Sequence, residues 1–241
     1  MIESSLVKWI LASNSPRRRE LLGLLNLDFV VMPADVDESV ISGEFPPKYV
    51  LRLAKQKARA AAVGLDSAAW VIAADTTVVD DGEILGKPRD KVEAEQMLYR
   101  LRGRKHQVFT ALAVYNAESR TLQTDLGESQ VPMRNYTDEE IQVYITSGDP
   151  FDKAGGYAIQ HAGFHPVENF QSCYANVVGF PLCHLARTLR KMAQPLDVNV
   201  PAVCQATLGY HCPMYDSILD DPLSLVSANL GTTKLPGVHT G

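Results

Sequence analysis

The feature that most constrains this chain is a short apolar run that ends abruptly in a capped turn. Lys8-Trp9-Ile10-Leu11-Ala12 gives way to Ser13-Asn14-Ser15-Pro16-Arg17-Arg18-Arg19. An apolar run this short, bounded by Ser, Asn and Pro, reads as a buried strand. Ser15 is a good N-cap and Pro16 a good first helical residue. Leu21, Leu22, Leu24 and Leu25 then supply the apolar face of a helix. A strand delivered straight into a helix is the working unit of α/β proteins.

The pattern continues in kind. Phe29 to Met32 read as a second strand, stopped by Pro33. From Pro47 to about Val63 the apolar spacing is helical. Trp70 to Ala74 form a strand that ends at Asp75. Asp81-Gly82 marks a hairpin between Thr77-Val78-Val79 and Glu83-Ile84-Leu85. Asp90 caps a helix to about Leu101, and strand-like runs follow at Gln107–Tyr115 and Thr121–Met133. Thr137 with Glu140 is a capping-box signal. After a Gly-rich stretch at 151–160 come two short strand-like pieces, then a helix from about Pro181 to Lys191. Alternation is broken near 105–135, so the expected class is α/β with a mixed, elongated central sheet and helices on both sides. The compact pattern ends near Met192. Residues 1–194 are read as one domain and 195–241 as a C-terminal extension, partly ordered.

Composition narrows the function. Net charge is −5 over 241 residues, and general nucleic-acid binding usually needs a basic face. No nucleic-acid partner is therefore expected, and an anionic ligand would need locally gathered positive charge. No apolar run approaches the roughly 20 residues of a membrane helix, and Met1-Ile2-Glu3-Ser4-Ser5 does not begin like a secretory signal. A cytoplasmic protein with reduced thiols and no membrane partner is expected. Cys204, His211 and Cys212 match no common zinc spacing, so plain packing is the simpler reading.

Four segments carry chemistry. The turn at Ser13–Arg19 aims backbone N–H groups and a helix N-terminus at one point, a natural anion site, with arginines suited to phosphate oxygens; the plainer reading is a solvated basic patch. Asp75, at the end of an apolar strand, is poorly explained by packing. It can activate water, hold a divalent metal, or cap a turn. Lys87, in Gly86-Lys87-Pro88, is a point charge at a rigid turn, although an exposed lysine is the default. In Asp152-Lys153-Ala154-Gly155-Gly156-Tyr157-Ala158-Ile159-Gln160, glycines allow close backbone approach and Gln160 offers both donor and acceptor to a base edge. Neither a P-loop nor a G-x-G-x-x-G fingerprint is present. Lys57 reads as one of several helix-surface bases, and Glu38 belongs to an acidic cluster.

In sequence order, Leu11-Ala12-Ser13-Asn14-Ser15-Pro16-Arg17-Arg18, Ala74-Asp75-Thr76, Leu85-Gly86-Lys87-Pro88, the 152–160 segment and Val178-Gly179-Phe180-Pro181-Leu182 resemble the Maf family of nucleotide pyrophosphatases, over about residues 6–192. The resemblance implies two lobes around a cleft, akin to the inosine triphosphate pyrophosphatase architecture. It implies metal-dependent hydrolysis of a nucleoside triphosphate to monophosphate and pyrophosphate, with Mg²⁺ or Mn²⁺. Arg17-Arg18 and the Gln-terminated run resemble the dTTP/UTP branch. By motif position the resemblance makes Asp75 the proton acceptor. Ser13, Arg17, Arg18, Lys57 and Lys87 would hold the phosphates, with Gln160 near the substrate, Glu38 near the metal or nucleotide, and Asp75 a further metal ligand. It also implies a homodimer. The rival reading is a nucleotide-binding regulator of septum formation without significant turnover.

Overall fold

A computed structural model describes residues 8–65 and 68–220. The opening run forms strand β1 (Lys8–Leu11), and Ser15 caps helix α1 (Pro16–Gly23) by accepting from the Arg18 backbone N–H. Then come β2 (Phe29–Val31), α2 (Pro46–Ala61), β3 (Ala69–Asp80), β4 (Glu83–Leu85) and α3 (Lys91–Leu101). After them run β5 (Lys105–Asn116), β6 (Leu122–Pro132) and α4 (Asp138–Thr146), which carries the expected Thr137/Glu140 capping box. The sheet order is β2-β1-β3-β5-β6, with β4 on the end of β3. β1 pairs parallel with β2 and β3, whereas β3–β5 and β5–β6 are antiparallel, so the sheet is mixed.

Strand periodicity divides the core. On one face Trp9, Leu11, Trp70, Ile72, Ala74, Leu112 and Val114 pack with Leu21 and Leu22 of α1 and with Leu25 just beyond its end. The alternate residues Ile10, Val71, Ala73, Ala111 and Ala113 meet α2 on the other face. Small residues there, Ala54, Ala58 and Ala61, bring α2 close to the sheet. A third cluster, with Val78, Leu98, Val108, Tyr136, Tyr144 and Tyr157, forms around the far halves of β3 and β5.

Two local expectations are corrected. β3 does not stop at Asp75: it pairs with β5 without a break from Trp70↔Asn116 to Val79↔Gln107, so Asp75 lies mid-strand. The ladder continues because its backbone partners do, even where the side chains turn polar. The two strand-like pieces after residue 160 also fail to form. There is one isolated bridge, Met133↔Val167, and then a short helix α5 (Tyr174–Val178), closed by Gly179 at φ 105°. Packing on the sheet overrides the β-branched preference of Val177-Val178.

Helix α6 (Leu182–Lys191) ends the region expected as the main domain. Beyond it, α7 (Val200–Leu208) and α8 (Tyr215–Asp220) lay Val200, Cys204 and Ile218 on the first core cluster. Residues 221–241 of the expected extension lie outside the described residues. Cys204 and Cys212 are buried around a small cavity with Cys173 and Cys183. Among the described residues no three His, Cys, Asp or Glu gather as metal ligands, and no helix is long and apolar enough to cross a membrane.

His106 on β5 and His184 on α6 are buried, which pushes each imidazole down to about 4. Between about 6.5 and 4 the unfolded chain binds protons that the folded chain refuses, so stability falls as pH drops through that window. The expected loss is up to about 3 kcal/mol per histidine. Urea unfolding at pH 7 and pH 4.5 checks it, and His184→Gln should flatten the dependence.

Candidate functional site

The alternation of β3 decides what Asp75 and Thr76 see. Asp75 shares the face of Val71 and Ala73 and points towards α2. Thr76 shares the face of Ile72 and Ala74 and points towards α1. Lys57 lies one helical turn beyond Leu53, at the sheet-facing border of α2, and donates to Asp75 Oδ1 at 2.6 Å. The same Nζ lies 2.6 Å from Glu38 Oε1, so one half-buried ammonium holds two carboxylates. Lys57 therefore does not belong to a solvated face.

On the opposite face Arg18 reaches back from the first turn of α1. Its Nη1 donates to Ala74 O at 2.8 Å and, more weakly, to Ser13 Oγ at 3.4 Å. Its Nη2 donates to Thr76 Oγ1 at 3.1 Å and its Nε to Gly179 O at 3.0 Å. A guanidinium has five N–H groups, so four are committed to the protein and one remains.

These groups border a continuous cleft. One part, a cavity of about 160 Å³, is lined by Arg17, Arg18, Thr76, Lys87, Tyr157 and Gln160. The adjoining part is lined by Ser13, Arg17, Arg18, Glu38, Lys57 and Lys87. Asp75 lies just behind, bound to Lys57. All eight residues singled out in the sequence therefore sit in or against one cleft. They differ in availability: Lys87 and Gln160 are exposed at its edge, Arg17 is partly exposed, and Arg18 and Lys57 are engaged by the protein. A chain of net charge −5 thus gathers Arg17, Arg18, Lys57 and Lys87 around one cavity.

The charges respond to one another. Burial pushes the Asp75 carboxyl above the usual carboxylate range, against the pull of Lys57 and Arg18. Burial also acts upward on Glu38, but Lys57, Lys87 and Arg18 outweigh it and its carboxyl is held low. Asp75 and Glu38 are hard oxygen donors, and two carboxylates completed by phosphate oxygens suit Mg²⁺ or Mn²⁺. The donor chemistry therefore fits a divalent ion held jointly with an anionic ligand.

Several participants were not singled out. Asp152 Oδ2 pairs with Arg17 Nη1 at 3.4 Å across the cleft mouth. Lys153, in the same motif, is buried and spends its ammonium on Asp149 and Asp152, bracing the loop. Tyr157 hydrogen-bonds the buried His106 at 2.8 Å. The Asp-Lys and Tyr residues stood inside a quoted motif, whereas His106 gave no local signal.

The glycine pair has a specific use. Gly155 lies at φ 70°, and a Cβ there would come 2.9 Å from Val78 Cγ1. The loop leading to Tyr157 and Gln160 rests directly on β3. Gly155→Ala should cost about 1–3 kcal/mol through strain and contact and displace that loop. A lowered melting temperature is the expected result, measured by thermal unfolding.

A family model described as Maf-like protein matches residues 8–192. A protein named dTTP/UTP pyrophosphatase from Geotalea uraniireducens is 47% identical over 183 residues, covering 76% of this chain and 94% of the relative. Another of that name from Anaeromyxobacter dehalogenans is 47% identical over 194 residues, covering 80% and 97%. Among solved structures, the Staphylococcus aureus Ham1 protein is 16% identical, covers 71% of this chain and 85% of its own, and aligns with a TM-score of 0.41.

Proposed function

Since the chain belongs to the Maf-like protein family, we propose that it is a nucleoside triphosphate pyrophosphatase that converts dTTP and UTP to the monophosphate and pyrophosphate. The observation that carries this reading is Asp75: a carboxyl with its pKa raised by burial, held by Lys57 beside a cleft rimmed with cations.

Binding comes first. Arg17 and Lys87, the more accessible cations, and the Ser13 hydroxyl take up phosphate oxygens, and Arg18 adds its charge and remaining N–H. Substrate phosphate displaces Asp152 from Arg17. Gln160 meets the base edge with a donor and an acceptor. Asp75 takes a proton from water as the water oxygen attacks the α-phosphorus; the bond to the bridging oxygen breaks and pyrophosphate leaves. Lys57 keeps the carboxylate oriented and neutralises charge nearby. A bound Mg²⁺ or Mn²⁺, held by Glu38 and Asp75, would supply further charge neutralisation on the phosphates. We place the activity in the cytoplasm, in a homodimer. Binding without turnover, as in a septum-formation regulator, is not favoured: the relatives' names describe a pyrophosphatase.

The test is a panel of nucleoside triphosphates with Mg²⁺ or Mn²⁺, scored for monophosphate and pyrophosphate. Release from dTTP and UTP above the purine nucleotides is expected; no release from any member overturns the reading. Asp75→Asn should lower turnover by about 10²–10⁴ while leaving nucleotide binding largely intact, and full activity in that variant would remove Asp75 from its role.

A further inference from the structure

Behind the cleft a chain of hydroxyls runs from Arg18 across β3 and β5, on the face of the sheet that carries α1, to α5, and its donor order can be worked out. Thr76 on β3 and Thr110 on β5 stand directly opposite in the ladder, with their hydroxyl oxygens 3.0 Å apart. Thr110 Oγ1 also lies 2.8 Å from the Asn176 carbonyl oxygen on α5. A carbonyl only accepts, so the Thr110 proton goes to Asn176. Thr110 must then accept from Thr76, which spends its single proton there. The Thr76 oxygen is left as an acceptor, and Arg18 Nη2 donates to it at 3.1 Å. Each hydroxyl is used once as donor and once as acceptor, so the order is fixed along the whole chain.

The far end is anchored. Asn176 is fully buried, and its Nδ2 donates to Val108 O at 3.1 Å and Ser129 Oγ at 3.0 Å. Gly127 makes room for it: a Cβ at that position would lie 2.3 Å from Asn176 Oδ1. The near end grips the reacting region, because Arg18 bonds Ala74 O and Thr76 Oγ1, the neighbours of Asp75 on either side.

We propose that Thr110 is a positioning residue for the pyrophosphatase reaction, acting through Thr76 and Arg18 on the backbone that presents Asp75. Thr110 is fully buried within the sheet and touches no part of the cleft except through Thr76. Without its acceptor, the Thr76 proton is free to turn towards Arg18 and the guanidinium loses one of its two holds beside Asp75. Phosphate capture through Arg17 and Lys87 is untouched. The inference rests on the reading of the cleft given above.

The test compares Thr110→Val, Thr110→Ser and Arg18→Lys, alone and combined, with dTTP or UTP well below each variant's melting temperature. Thr110→Val keeps the shape and removes the hydroxyl. Its kcat should fall about 10- to 100-fold, as misplacement at a reacting centre does, with KM within about threefold of the parent. Thr110→Ser should restore kcat to within about threefold. Thr110→Val combined with Arg18→Lys should be no slower than Arg18→Lys alone, because both break one linkage. If Thr110→Val does not fold, Thr110→Ala takes its place. Parental kcat in the valine variant, a loss confined to KM, a serine variant as slow as the valine one, or losses that multiply in the double variant would each overturn the inference. A parent protein that turns over no nucleotide fails the functional reading instead, and the two failures are told apart by that control.

Discussion

The unbroken antiparallel ladder between β3 and β5 is the constraint on which the rest depends. It carries β3 straight through a polar stretch, so strict two-residue alternation holds at Asp75 and Thr76. Adjacent residues then face opposite layers. Asp75 meets the lysine of α2, while Thr76 meets the arginine of α1. A one-residue slip in register would exchange the two. The carboxyl would then face Arg18 and the core beneath α1, and the hydroxyl would face Lys57.

Around that strand the protein solves a charge problem. An acidic chain holds a cavity rimmed with cations by giving each buried charge a partner. Lys57 sits between Asp75 and Glu38, Arg18 is ringed by carbonyl and hydroxyl acceptors, and Lys153 is tied within its own loop. Buried ions without such partners would cost several kcal/mol or lose their charge. Arg17 and Lys87 remain accessible, and Arg17 is held only by a 3.4 Å pair with the exposed Asp152. The site thus separates cations spent on the protein from cations left accessible at the cleft.

The extension past Met192 joins the same economy of packing. Its described part does not stand off from the body; α7 and α8 cover the outer face of the first core cluster. Arg187 of α6 ties this region together through a buried bidentate pair with Asp125 and a bond to Ile218 O. The four cysteines converge here, as buried free thiols, around one small cavity.

Much of this was legible in the residues themselves. Short-range chemistry was enough for the Ser15-Pro16 start of α1, the Asp81-Gly82 hairpin, the Thr137/Glu140 capping box and the α/β class, because caps and turns are set by neighbours in the chain. The motif segments likewise named the residues that line the cleft. What the sequence could not decide was which of those residues are spent on each other. Nothing local distinguishes Lys57 from Lys55, or marks Thr110 and Asn176 at all. Their roles follow from strand register and helix packing, which bring together groups far apart in the chain, and hydrogen bonds between such groups exist only once the layers have closed.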